Sequence, residues 1–239
     1  MEVRKKLYLA FVILSVFSTA AFAGPTVIRA PVSRLYTPTG FDDNDNSEVV
    51  VAGVFPSACY KSGSSKVKVN YQLNEVEVSV TAYKYEGFCA QVLTPFLQTI
   101  KLGILKAGEY TVRIRNSELW DRISIGKSLT SSPDDYLYAP VENASMDLSD
   151  GSQKLILEGT FPYTFVGCAI MSEIKIVHKK RGLIEVLPTM ELVNDDRCRR
   201  ENNDFKIGQT IPEKLQGQIL IHVRVLNGQS YNRLVNLDK

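Results

Sequence analysis

Apolar and polar residues alternate along most of this 239-residue chain. The alternation runs through residues 67–71, 76–80, 110–114, 174–177 and 219–225. A period of two predicts strands with one buried face, and no convincing helical stretch of about 10–12 residues interrupts the pattern. The sequence therefore predicts an all-β protein built from antiparallel sandwiches.

Several landmarks of the first half reappear in the same order in the second half. Gly53-Val54-Phe55-Pro56 matches Gly159-Thr160-Phe161-Pro162. The series also pairs Tyr36-Thr37-Pro38 with Tyr138-Ala139-Pro140, Lys101-Leu102-Gly103 with Lys206-Ile207-Gly208, residues 112–116 with 223–227, and residues 120–123 with 231–234. A repeat this long exceeds the unit of a solenoid or propeller, so it indicates a duplicated domain.

The four cysteines follow the same duplication. Cys59 and Cys89 are 30 residues apart, and so are Cys168 and Cys198. We predict one disulfide within each copy, which indicates an oxidising compartment. The fold class predicted is therefore two tandem antiparallel immunoglobulin-like β-sandwiches with one disulfide each.

The first residues have the pattern of an export signal. A basic stretch at residues 4–6 precedes an apolar stretch at 7–17, and Ala21-Phe22-Ala23 has the small residues of a cleavage site. We predict a signal peptide at 1–23, a first sandwich at 24–130 and a second at 131–239. The mature protein is then secreted or periplasmic and is not an integral membrane protein.

Charge and chemistry exclude several classes of function. Without residues 1–23 the chain has 25 basic and 25 acidic residues, so its balance does not favour nucleic-acid binding. It has only two histidines, its cysteines are assigned to disulfides, and it has no Gly-x-Ser-x-Gly elbow. We expect no enzymatic activity and no cofactor, apart from the calcium considered below.

Leu105 to Tyr110 resembles the tyrosine corner of immunoglobulin-like domains, in which a tyrosine hydroxyl bonds to nearby backbone. The tandem layout is similar to bacterial pilus chaperones. Phe41-Asp42-Asp43-Asn44-Asp45, followed by Gly53 to Cys59, resembles uncharacterised secreted bacterial proteins with tandem immunoglobulin-like domains. These resemblances imply an exported bacterial sandwich protein. The resemblance to uncharacterised secreted proteins implies no known activity.

Two groups of residues are candidate sites. Asp42, Asp43 and Asp45 form the densest oxygen-ligand cluster, the type that Ca²⁺ prefers, although a solvated turn explains them as well. Aromatic residues near the cysteines are candidates for stacking on sugars or anchoring a protein, although core packing is the alternative. These aromatic residues are Tyr83, Tyr85, Phe88, Tyr163 and Phe165.

The sequence thus predicts a non-enzymatic binding or structural protein. Its partner is a protein or a cell-envelope polymer, recognised through loops at the ends of the sandwiches. Two alternatives stay open: a periplasmic chaperone or assembly factor that acts by strand addition, and a secreted hydrolase or hydrolase inhibitor.

Overall fold

The computed structural model describes residues 24–132, 134–149, 151–164, 167–180, 182–198 and 203–238. The predicted signal peptide lies outside the described residues. Regular structure in these ranges is almost entirely β-strand, with one 3₁₀ turn at Asp196–Cys198, and this confirms the all-β prediction. The first half contains β1 (Thr26–Arg29), β2 (Val32–Tyr36), β3 (Phe41–Asp42), β4 (Ser47–Phe55), β5 (Tyr60–Asn70), β6 (Glu75–Lys84), β7 (Thr94–Gly103), β8 (Gly108–Ile114) and β9 (Trp120–Gly126). The second contains β10 (Val141–Asp147), β11 (Lys154–Thr160), β12 (Cys168–Lys180), β13 (Leu183–Val193), β14 (Asp204–Thr210), β15 (Gln218–Val225) and β16 (Gln229–Asn236).

Each half forms two sheets that pack face to face. In the first half, β2-β4-β7 packs against β1-β6-β8-β9-β3, with β5 paired along the outer side of β6. In the second half, β10-β11-β14 packs against β12-β13-β15-β16. The described strand pairs each join strands of the same half, so the chain forms two tandem β-sandwiches. The boundary predicted at residues 130 and 131 falls between β9 and β10 and stays a prediction.

Most strand pairs are antiparallel, as predicted, but three are parallel: β6 with β8, β13 with β15, and the two-residue β3 with β9. Between the members of the first two of these pairs the chain crosses to the other sheet, to form β7 or β14, and then returns. Such a crossover lets the returning strand enter in the same direction as its neighbour. Alternation alone did not reveal this, because inward and outward residues alternate in both kinds of pair.

The repeated Gly-x-Phe-Pro motif has a structural reason in both halves. A Cβ on Gly53 would lie 2.2 Å from the carbonyl oxygen of Pro31, and a Cβ on Gly159 would lie 2.2 Å from that of Pro140. Two residues later, Phe55 stacks on Phe96 with ring centroids 4.4 Å apart. Phe161 and Phe205 lie 4.5 Å apart in the second half. The motif therefore combines a close backbone approach with an aromatic pair in the core.

These contacts correct two of the predicted repeat matches. Pro31 and Pro140 occupy equivalent places, so Ala139-Pro140 corresponds to Ala30-Pro31 and not to Thr37-Pro38. Phe96 and Phe205 are also equivalent, so Lys206 does not correspond to Lys101. Both errors arose because short identical letters were matched without the strand register that fixes them.

The two sandwiches also pack on each other. Tyr36, Val50 and Ala52 from the outer face of β2-β4-β7 form a buried cluster with Leu183 and Leu220 from the second half. As a result β4 and β15 are buried on both faces, and the four sheets stack as consecutive layers. His222 does point outward from its own sandwich, as its alternation predicts, but it is fully buried because the first sandwich covers it.

Both predicted disulfides are confirmed, and Tyr110 makes the backbone contact expected of a tyrosine corner. Cys59 is bonded to Cys89 and Cys168 to Cys198, with Cα atoms 5.4 and 5.5 Å apart. Tyr110 is buried, and its hydroxyl is hydrogen-bonded to the backbone of Lys106, four residues upstream.

Candidate binding loop and the junction between the sandwiches

The loop at residues 85–93, which connects β6 to β7, is held to the rest of the first sandwich at three points. Cys89 is bonded to Cys59, in the turn that leads from β4 into β5. The backbone amide of Tyr85 donates to the carbonyl oxygen of Cys59 at 2.9 Å, and the amide of Ala58 donates to that of Ala90 at 3.0 Å. A loop fixed in this way loses little conformational entropy when it binds a partner.

This loop exposes apolar side chains that no neighbour covers. Phe88 is fully exposed, Leu93 is 75% exposed and Val92 is 55% exposed. We call these three residues the apolar tip. Large apolar side chains that cluster on a surface mark interaction sites, whereas isolated ones need no explanation. Here three of them lie within six residues of chain on a stapled loop.

The aromatic residues predicted as binding candidates differ in how exposed they are and in which sandwich they belong to. Tyr83 is half-buried in β6, and Tyr85 is exposed with the ammonium of Lys61 5.5 Å from its ring centroid. Tyr163 is 92% exposed in the loop between β11 and β12 of the other sandwich. Phe165 lies outside the described residues. Among the described candidates, therefore, Phe88 and Tyr163 are the most exposed.

The sequence reasoning missed Val92 and Leu93. Their signal was an apolar pair between Cys89 and Pro95 that continues no alternating strand. A pair of this kind in a turn-rich segment has no sheet face on which to be buried.

The acidic segment, residues 42–45, is hydrogen-bonded to the connection between β9 and β10 that links the two sandwiches. The carboxylate of Asp43 accepts a hydrogen bond from the amide of Ser128 at 2.9 Å, and this bond lowers the pKa of Asp43. The side chain of Asn44 donates to the carbonyl oxygens of Thr130 and Ser132 at 3.0 and 3.1 Å. Asp42 accepts from the amide of Asn44 at 3.1 Å, while burial raises the pKa of its carboxyl.

Asp45 has a cationic partner from the second sandwich. Its carboxylate oxygens lie 3.2 Å from Nη1 and 3.1 Å from Nη2 of Arg224. The three predicted calcium ligands thus have three different sets of partners. Among the described residues there is no group of three or more His, Cys, Asp or Glu side chains placed to hold a metal ion. The calcium prediction has no further support and stays a prediction.

Arg224 is the centre of a buried polar cluster. Its guanidinium lies between the rings of Phe41 and Tyr138, 4.7 and 5.2 Å from their centroids, and also contacts the carboxylate of Asp134. Burial lowers the pKa of Arg224, but the negative charges of Asp45 and Asp134, together with Tyr138, outweigh this effect and raise it. Burial also raises the pKa of Tyr138 to about 12.

A second buried cluster surrounds His222. Its Nδ1 lies 2.8 Å from Oδ1 of Asn232 and 3.7 Å from Oε1 of Glu48, which belongs to the first sandwich. Ser230 and Asn232 also donate to that carboxylate. Burial lowers the pKa of His222 to about 4, so the ring is neutral at pH 7. The contacts of Glu48 with Ser230, Asn232 and His222 therefore join the two sandwiches.

The sequence also contained the signals of these clusters. Glu48 and Arg224 are charged residues inside the apolar runs of β4 and β15. A charge in such a run is expected to be paired, because an unpaired buried charge is costly. By contrast, Asp195 makes its ion pair on the surface, 2.8 Å from Nη2 of an exposed Arg197. His178 lies in another surface pair, 2.8 Å from Glu213.

Comparison with known proteins adds one finding. Residues 49–122 match the family model of the ORF11 beta-sandwich domain. The match runs from β4 into β9, so it lies in the first sandwich, includes the stapled loop and covers less than half of the chain. No curated protein and no solved structure matches. The family match and the observed sheets agree on a β-sandwich.

Both disulfides are compatible with an extracellular or periplasmic environment. Within the described ranges, no helix has the length and apolar character needed to cross a membrane.

Proposed function

We propose that this chain is an exported, non-enzymatic bacterial recognition protein, and that the apolar tip binds a protein partner outside the cytoplasm. The observation that supports the proposal best is the exposure of Phe88, Val92 and Leu93 on a loop fixed by a disulfide. Aromatic and aliphatic side chains that enter a partner's pocket supply most of the binding energy in many interfaces. The apolar tip offers this type of contact.

The junction supports the same function. Buried contacts across it, such as those of Arg224 with Asp45 and of Ser230 with Glu48, join the sandwiches into one unit. A rigid unit presents the tip in one orientation, so less freedom is lost on binding. The polar clusters are then structural parts of a recognition protein.

The rival functions receive less support. Strand addition needs an open edge, and two of the long edge strands, β5 and β12, carry irregular registers at Ser62/Ser65 and Met171/Glu173, whereas the edge strand β7 pairs regularly with β4 over residues 94–101. Bulges of this kind protect an edge from pairing. For a hydrolase, His222 is fully buried, and His178 pairs on the surface with Glu213 at 2.8 Å.

A matched capture experiment tests the proposal. The mature, oxidised protein is immobilised and exposed to cell-envelope fractions, beside a variant with Phe88→Ser and Leu93→Ser. The control variant is Leu129→Ser, because Leu129 is 79% exposed at a distant position in the chain. We expect one protein to be retained by the wild type and by the control but not by the tip variant. Equal retention by the tip variant would overturn the proposal.

A further inference from the structure

The first sandwich has a concave site where β1, β6 and the end of β8 meet. Along β6 the neighbouring strand changes from β8 to β1: the amide of Arg115 donates to the carbonyl oxygen of Val78, and the amide of Ala30 to that of Val80. The change of neighbour leaves a cavity of about 300 Å³. We call it the basic notch, after Arg29 and Arg115, which line it together with Ser79 and Thr81.

The notch offers hydrogen-bond donors and positive charge. The guanidinium of Arg29 donates to the neutral carbonyl of Asn116, so its charge is not compensated there. The side chain of Arg115 is 53% exposed and has a loose contact with Glu77, 3.8 Å between Nε and Oε1. Lys66 lies opposite Ser79 in the register of β5 and β6 and adds a third cation beside the notch.

Little negative charge opposes these cations. The strand that forms the floor, β6, contributes two carboxylates, Glu75 and Glu77. Glu75 is already engaged by Arg113, 2.5 Å from its Nε, and Glu77 is the loose partner of Arg115. The local excess of cations exists although the mature chain as a whole is balanced in charge, and it favours an anionic ligand.

The other surfaces of the site suit a sugar ring. Val27, Ile28 and Ile114 give the notch apolar walls. Trp120 of β9 does not line the notch, and the guanidinium of Arg113 lies 5.9 Å from its ring centroid. Apolar walls pack against the faces of sugar rings, while arginine binds carboxylate or phosphate groups with two nitrogens.

We propose that the basic notch binds an anionic group of a cell-envelope glycan, either the carboxylate of an acidic sugar or a phosphate substituent. The ring carrying that group packs against the apolar walls, and the anion lies between Arg29 and Arg115. The site is separate from the apolar tip, so it does not rest on the protein-binding function proposed above.

The test uses the folded, oxidised protein and titration calorimetry. The probes are a uronic-acid oligosaccharide, a neutral oligosaccharide of equal length and inorganic phosphate. We expect the acidic oligosaccharide to bind better than the neutral one. Arg115→Gln should weaken that binding on the order of tenfold, because it removes a charge-assisted contact.

Arg122→Gln is the matched control, since it removes the same charge from exposed β9 without lining the notch. It should leave affinity within about twofold of the wild type. Binding of phosphate that depends on Arg115 would also support the site and would assign the phosphate substituent as the ligand. Equal affinity for the neutral oligosaccharide, equal loss in both variants, or no binding of either anion would overturn the proposal. Thermal unfolding confirms that each variant is folded.

Discussion

Arg224 of the second sandwich binds Asp45 of the first through both terminal nitrogens, at 3.2 and 3.1 Å, with both side chains almost completely buried. Charged groups at such a site are stable only as partners, because each has lost its hydration. The acidic segment that contains Asp45 is therefore part of the junction between the sandwiches.

Removing this arginine should be strongly destabilising. Arg224→Ala leaves Asp45 and Asp134 buried without their cation, and we expect it to lower the free energy of unfolding by about 3–5 kcal/mol. Urea denaturation measures the change. The control is Arg197→Ala, which breaks a pair whose arginine is 54% exposed and should cost less than about 1 kcal/mol. Similar small losses in both variants would contradict a buried junction.

His222 should make stability depend on pH. Its folded-state pKa is about 4, below the ordinary 6.5, because burial disfavours the charged ring. Between these values the unfolded chain binds a proton that the folded chain does not, so the stabilisation is complete above pH 6.5 and is lost as pH falls toward 4. The loss from this group approaches about 3 kcal/mol.

Denaturation curves across that pH range measure this contribution. His222→Gln should reduce the dependence on pH. The control is His178→Gln, which removes the histidine of a surface pair and should keep the dependence that comes from His222, because His222 is still present. An unchanged dependence in His222→Gln would show that the ring is not held neutral.

The glycine of the repeated motif should tolerate no side chain. Gly53→Ala places a Cβ 2.2 Å from the Pro31 carbonyl oxygen, and backbone must move to relieve the clash. We expect a loss of about 1–3 kcal/mol for Gly53→Ala and for Gly159→Ala. Gly126→Ala is the control, because the nearest atom to its added Cβ is 3.5 Å away. Thermal melts compare the three variants, and a stable Gly53→Ala protein would refute the close approach.

The sequence predicted the parts of the fold that depend on local periodicity and spacing. Alternation identified parts of β5, β6, β8, β12 and β15, and the equal separations of the cysteines identified both disulfides. Tyr110 was placed correctly because the corner depends on a contact only four residues away. The repeat matches at Pro38 and Lys101 were wrong because equivalence depends on strand register, which short letter matches do not fix.

The contacts between the sandwiches were the main feature that the sequence did not predict. His222 and Val50 lie on the outer faces of their own sheets, yet each is buried by the other sandwich. The apolar runs of β4 and β15 are a local sign of burial on both faces, but which surface covers them depends on how two folded units meet. For the candidate site, spacing from the cysteines identified Phe88, whereas Val92 and Leu93 became evident only from their exposure.

The most direct test of the account is the affinity of the captured protein partner for three forms of this chain, measured by surface plasmon resonance. We predict that Phe88→Ser weakens binding on the order of tenfold or more, because it removes the most exposed anchor of the apolar tip. The Cys59→Ser, Cys89→Ser variant should also bind more weakly, because its loop is no longer fixed. Wild-type affinity in Phe88→Ser would contradict the claim that the stapled loop is the recognition surface.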